Sequence, residues 1–140
     1  MRGIIMIVLS NTTDQVVQPG QAITFNTVVL HTGNGECHRP GTSSVKMKAN
    51  GIYVASFSAN IGVSGAAGRA QIAMAIGGEV LPESTMISET AADGNLNNVA
   101  KEIPIKNCCC DYDRLTIINT GTTPVLVSAL GLSLFVRRAS

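Results

Sequence analysis

The residues whose types could do chemistry gather in two places. Cys37 and His38 are adjacent, and Cys108, Cys109 and Cys110 run together just before Asp111 and Asp113. Thiolates and an imidazole are ligands for zinc. On a strand, Cys108 and Cys110 would share one face and Cys109 the other. No pair has the two-residue spacing of a zinc knuckle, so free, partly buried thiols are the plainer reading. Adjacent cysteines cannot bridge to each other without a strained ring, which leaves Cys37 to Cys108, Cys109 or Cys110 as the open disulfide alternatives. Asp111 and Asp113 are two hard carboxylates on one side of a strand or turn, the weak candidates for calcium. A solvated turn explains them more simply, and the expectation is no cofactor, with zinc and calcium as the alternatives.

Acid–base chemistry has little to work with. His31 and His38 are the only histidines, and no nucleophile elbow, His-Glu-x-x-His pair or phosphate-binding glycine loop is present. The expectation is that the chain is not an enzyme. Arg137-Arg138 could meet an anionic partner, although terminal basic pairs are mostly solvated. Asn11-Thr12-Thr13 fits the glycosylation pattern, but the early apolar run Ile4–Leu9 is too short for a signal peptide and reads as a strand. Met1 reads as the start of a complete chain, and no stretch approaches a membrane span.

The elements that must position these residues are strands. Val, Ile and Thr make up 38 of 140 residues, and β-branched side chains suit a pleated sheet better than a helix. Turn signals separate Ile4–Leu9, Ala22–His31, Val45–Lys48, Ile52–Val63, Arg69–Ile76, Glu79–Leu81, Thr85–Thr90, Val99–Ile105, Leu115–Asn119 and Pro124–Val136. Short strands at this spacing indicate a sandwich or barrel. In Ile52–Val63, Tyr53, Ala55, Phe57, Ala59, Ile61 and Val63 alternate with small or polar residues, the mark of a half-buried strand. Read as one strand, Pro124–Val136 is apolar on both faces. Leu126, Leu130, Leu132, Leu134 and Val136 lie on one, and Val125, Val127, Ala129 and Phe135 on the other. Such a strand needs a second cover, and a neighbouring subunit would supply it.

Composition points the same way. Charged residues form 14 % of the chain while 45 % is apolar, against about 25 % charged in an ordinary soluble domain. Low charge favours an oligomer that buries the excess. A formal net charge of +1 argues against a nucleic-acid binder.

The order of segments is familiar. Asn50-Gly51-Ile52-Tyr53-Val54-Ala55-Ser56-Phe57-Ser58-Ala59-Asn60 resembles the Gly-aromatic-hydrophobic strand of the tumour-necrosis-factor-like jelly rolls. That superfamily includes complement globular heads and the C-terminal domains of bacterial collagen-like spore-surface proteins. Ala73–Val80 looks like its strand, Gly-turn, strand step, and Leu115–Gly121 with Val125–Val136 is similar to its final hairpin. The resemblance spans residues 16–138. It implies an all-β, ten-stranded antiparallel jelly-roll sandwich, homotrimeric, binding partners through loops and not catalysing. It also implies that the last strand lies near the threefold axis. No Gly-X-Y tract is present, so no collagen stalk is expected, and a stalkless trimer is similar to phage decoration and fibre proteins.

The whole chain, 1–140, is therefore expected to be one domain, with 1–15 an N-terminal strand or arm and 16–138 the core. The expected function is structural: a self-assembling phage or prophage virion accessory that presents loops such as Thr32–Thr42 and Ala91–Asn98 to a partner. The trimer interface is assigned to Tyr53, Phe57, Leu130, Leu132, Leu134, Phe135 and Val136. The expected partners are further copies of the chain and a capsid or tail protein, with no nucleic acid and no membrane insertion. The alternative is a bacterial surface head that binds a ligand or cell-surface glycan. Location follows function, on a virion or a cell surface.

Overall fold

A strand whose alternate residues are large and apolar buries one face only, and it then needs a second layer opposite that face. The computed structural model describes residues 6–32, 36–38, 40–47, 51–107 and 114–139. Its longest strand, β6 (Gly51–Val63), behaves in this way: Tyr53, Ala55, Phe57, Ala59 and Ile61 are fully buried. Around β6 the described residues form two antiparallel sheets. In chain order the other strands are β1 (Met6–Ser10), β2 (Gln15–Val17), β3 (Thr27–Thr32), β4 (Glu36–Cys37), β5 (Val45–Met47), β7 (Gly68–Ile76), β8 (Glu79–Val80), β9 (Met86–Thr90), β10 (Asn97–Asn107), β11 (Arg114–Asn119), β12 (Val125–Val127) and β13 (Ser133–Arg138). A single 3-10 turn, Pro82–Ser84, precedes β9.

Sheet 1 has seven strands in the order β2-β12-β6-β13-β1-β3, with β10 on the other edge of β6. Sheet 2 has six, in the order β4-β5-β11-β7-β8, with β9 also on β7. The sheets share one core, to which Ile7, Leu9, Phe25, Tyr53, Phe57, Leu134 and Val136 contribute from sheet 1 or its flank, and Met47, Ile72, Met74, Leu115 and Ile117 from sheet 2. The accessible surface of the chain is 6999 Å², close to the roughly 6,900 Å² expected of a monomer of this mass. The core is therefore closed by one chain, without help from a neighbour.

The all-β antiparallel sandwich expected from the sequence is present, although the thirteen described strands exceed the expected ten because several are very short. Residues 6–10, expected as a strand or arm, form a strand: β1 sits between β13 and β3, and Ile7 and Leu9 are fully buried. Two local expectations are corrected. Ala22–His31 is not one strand. Ala22 bridges Ile118 in sheet 2 and Phe25 bridges Thr42, whereas Thr27–Thr32 pairs with β1 in sheet 1. The chain changes sheet between them, at Asn26, with Ile23 and Phe25 buried before the crossing and Val28, Val29 and Leu30 exposed after it.

The second correction concerns Pro124–Val136. It is two strands, β12 and β13, separated by a turn at Ser128–Leu132. Gly131 takes φ of +84°, a left-handed conformation that suits glycine. Val127 and Leu132 both face the core although five positions separate them. The turn thus exchanges the two faces of the chain. Val125 and Val127 point inward before it, and Leu134 and Val136 after it. The second apolar face read from the sequence does not exist as a continuous surface.

Polar side chains close the places where ladders end. Asn119 is 1 % exposed and donates to the carbonyls of Val17 at 2.9 Å and Thr123 at 2.8 Å, while its own side-chain oxygen accepts from Gly121 N–H at 2.9 Å. One amide thereby ties the end of β11 to β2 and to the loop before β12. Segments 11–15 and 24–26 are joined in the same manner. Asn26 N–H donates to Asn11 Oδ1, and Thr24 N–H to Gln15 Oε1. Asn11 is buried in this clasp, so its glycosylation pattern has a structural explanation.

Asn119→Leu keeps the side-chain volume and strands two buried carbonyls and one N–H. Each lost partner in such a site costs about 1–3 kcal/mol. The expected loss is about 3 kcal/mol of unfolding free energy, read by urea denaturation followed by far-UV circular dichroism.

Candidate functional site: the outer face of sheet 1

Once the core has taken alternate residues of each strand, the remaining ones form the outer face of sheet 1. The strand registers arrange them in rows. One row runs Leu30, Val8, Phe135, Ser56, Glu102. The next runs Thr32, Met6, Arg137, Val54, Pro104. A third is Ser133, Ser58, Ala100. Val8, Val54 and Phe135 are half-buried and stand on directly paired or diagonal positions, close enough for side-chain contact across the strands. Leu126 lies opposite Val16 farther along the face, and Val16 is exposed. Arg137 is the only charged residue among the outward positions of β1, β13 and β6. The other charges, Glu102 and Lys106, are on β10 at the sheet margin.

At one end of this face the Ser128–Leu132 turn is tied down from several sides. Asn60 donates from Nδ2 to the Leu130 carbonyl at 3.0 Å and accepts at its backbone carbonyl from Ser128 N–H at 3.0 Å. Asp14 accepts from Ala129 N–H at 2.8 Å, and Ser10 Oγ donates to the Leu132 carbonyl at 2.8 Å. The turn holds Leu130 with 80 % of its surface exposed. Beside it, the chain entering β10 crosses so close over Gly62 that an added Cβ would overlap the Asn95 carbonyl oxygen.

The interface assigned from the sequence is thus divided by the structure. Leu130 and Phe135 are on the outside, one exposed and one half-buried. Tyr53, Phe57, Leu132, Leu134 and Val136 are not: all five are at most 3 % exposed and belong to the core of the single chain. The reason is the face exchange at Gly131 together with the alternation of β6, which turns Tyr53 and Phe57 inward. Val8 and Val54 are the outward residues that the sequence reading missed. Their signal was present in the small polar neighbours of β6, but it needed the pairing with β1 and β13 to become a surface.

The histidines have structural settings. His38 places Nδ1 2.9 Å from the Ser44 carbonyl and Nε2 2.8 Å from the Phe25 carbonyl. Both nitrogens face backbone oxygens, so neither points to a metal or a substrate in this arrangement. The ring also meets Phe25 edge-on at 6.2 Å. His31 is exposed on β3. Cys108, Cys109, Cys110, Asp111 and Asp113 lie outside the described residues, and only the backbone of Cys37 is described. Among the described residues no three His, Cys, Asp or Glu side chains gather as a metal site.

The two loops expected to meet a partner are not neighbours. Thr32 is opposite Met6 in the row that crosses Val54, near the start of β6, whereas Asn95 covers Gly62 near its end. Thr32 and Asn95 therefore lie toward opposite ends of β6. Residues 91–96 are exposed, with Asp93 Oδ1 accepting from Gly65 N–H at 2.8 Å.

No family model matches the chain, and no curated protein matches it. Solved structures do. The tumour necrosis factor Eiger from S. frugiperda superposes with a TM-score of 0.76 at 13 % identity, covering 99 % of this chain and 94 % of that one. The globular domain of zebrafish complement 1qA gives 0.65 at 16 % identity, over 95 % and 94 %. Vertex protein P5 of PRD1 gives 0.55 at 12 % identity, over 98 % and 96 %. The chain has the jelly-roll fold of these structures, as the sequence resemblance implied.

The inward and outward residues of β13 should respond differently to truncation. Leu134→Ala opens a cavity in the core and is expected to cost about 3 kcal/mol. Phe135→Ala leaves the core intact and should cost less than half as much, both read by chemical denaturation at a fixed, dilute protein concentration.

Proposed function

We propose that the chain is a non-enzymatic, self-assembling protein that forms a homotrimer through the outer face of sheet 1 and serves as a decoration or fibre-type accessory of a phage or prophage virion. The observation that carries this reading is the sparsely charged centre of that face, where Val8, Val54 and Phe135 lie on paired central strands and Arg137, opposite Val54, is the one charge on β1, β13 and β6. A sheet face with its apolar residues aligned in rows is suited to burial against another copy. The jelly-roll resemblance supports the number three, and the likeness to PRD1 vertex protein P5 supports the virion setting.

In this arrangement, sheet 2 and the ends of the sandwich stay available to a capsid or tail protein. Leu130, held rigidly at one end, is a ready apolar contact for a neighbouring copy. The core does not need the partner, so assembly and folding are separable properties.

Light scattering on the purified chain should therefore return three times 14.6 kDa. Phe135→Asp and Val54→Asp each place a carboxylate in the contact and should weaken association roughly a hundredfold or more. Their far-UV circular dichroism should be unchanged. A wild-type chain that stays monomeric at micromolar concentration would overturn the proposal.

A further inference from the structure

A cavity of about 470 Å³ opens on the outer face of sheet 2, away from the proposed association face. That size is within the range of small-molecule sites. Its lining includes Thr116 and Ile118 of β11, Ala22 and Ser44 from the chain beside it, the Gly77-Gly78 turn and Arg114. The sheet makes this cavity for a local reason. Ala22 bridges Ile118 at one side of β11, and the β7–β8 turn closes over the other, with Gly77 N–H donating to the Arg114 carbonyl at 2.9 Å. Two glycines there carry no side chain to fill the space.

The chemistry of the lining is uneven. Ile118 and Ala22 form an apolar wall, Ser44 and Thr116 supply hydroxyls, and Arg114 supplies a guanidinium. Arg114 also stands directly opposite Lys46 in the ladder between β11 and β5. Of these two residues Arg114 lines the cavity. Among the described residues, none forms an ion pair with Arg114, which is exposed.

We propose that this cavity binds an acidic saccharide, a sugar ring carrying a carboxylate. The guanidinium matches a carboxylate with two parallel hydrogen bonds. Ser44 and Thr116 can exchange hydrogen bonds with ring hydroxyls. Ile118 and Ala22 offer a surface for the C–H face of the ring. A neutral sugar would leave Arg114 unused, and an inorganic anion would leave the apolar wall unused. The site is contained in one chain, so it does not depend on the trimer.

The test is a chemical-shift titration of the isotope-labelled full chain with glucuronic acid, with glucose and inorganic sulfate as comparison ligands. Glucuronate should move the amide signals of Ala22, Thr116 and Ile118 and bind about tenfold more tightly than either comparison ligand. Arg114→Gln should remove that preference and Arg114→Lys should keep part of it, while circular dichroism and light-scattering mass stay at wild-type values. Thr116→Val, which keeps the shape and removes the hydroxyl, should weaken glucuronate without restoring glucose. Equal binding of glucose, equal binding of sulfate, an Arg114→Gln chain that still prefers glucuronate, or no shift up to the solubility of glucuronate would each overturn the proposal.

Discussion

The inward set of β6 is the constraint on which the rest of the molecule depends. Tyr53, Ala55, Phe57, Ala59 and Ile61 all have to leave water on the same side. A slip of one residue in its pairing would turn every one of them outward. β10 runs along one edge of β6 for its whole length, while β13 and β12 share the other edge. Holding β6 in register therefore holds three further strands, and through β13 it also places β1 and β3. Sheet 2 then supplies the opposite wall with Met74, Leu115 and Ile117.

This division of each strand leaves different residues for function than for folding. The large aromatic and aliphatic side chains are mostly spent inside the chain. What remains on sheet 1 is a surface of aliphatic residues, serine, alanine and one phenylalanine with little charge at its centre. A similar economy is visible on sheet 2. There the outward Ala73 and Ala75 of β7 are fully buried beneath their neighbours, and the nearby cavity gathers its only cation from the end of β11. The two outer faces thus differ in kind: one suits contact with a like surface, and the other holds an open, largely apolar cavity with one guanidinium at its edge.

How far the residues alone could be read depends on where the turns fall. The run Ile52–Val63 was legible because its buried residues alternate without a break from Tyr53 to Ile61 in β6. The expected strands Val45–Lys48, Arg69–Ile76 and Leu115–Asn119 were legible as strand-forming runs between turn signals, and they fall on β5, β7 and β11. Pro124–Val136 misled because the turn within it holds Ala129 and Leu130 between Ser128 and Gly131, so that its two turn residues are set inside an otherwise apolar run. Since that turn swaps inside for outside, the interface read from one uninterrupted strand put Leu132, Leu134 and Val136 on the wrong side. Ala22–His31 misled differently: Ile23 and Phe25 are buried, Val28, Val29 and Leu30 are exposed on β3, and the strand propensity they share does not mark the change of sheet between them.

Amino-acid order by itself determined the all-β class, the main strands and the presence of one core, because strand propensity and two-residue periodicity are local properties of a chain. It also carried the jelly-roll resemblance. Only the tertiary structure decided which apolar residues remain outside, since that depends on pairing between segments more than a hundred positions apart, such as Val8 with Phe135. It alone placed Arg114 opposite Lys46 beside a cavity, because neighbours across a ladder are chosen by register and by turn geometry, neither of which is written in any single stretch of sequence.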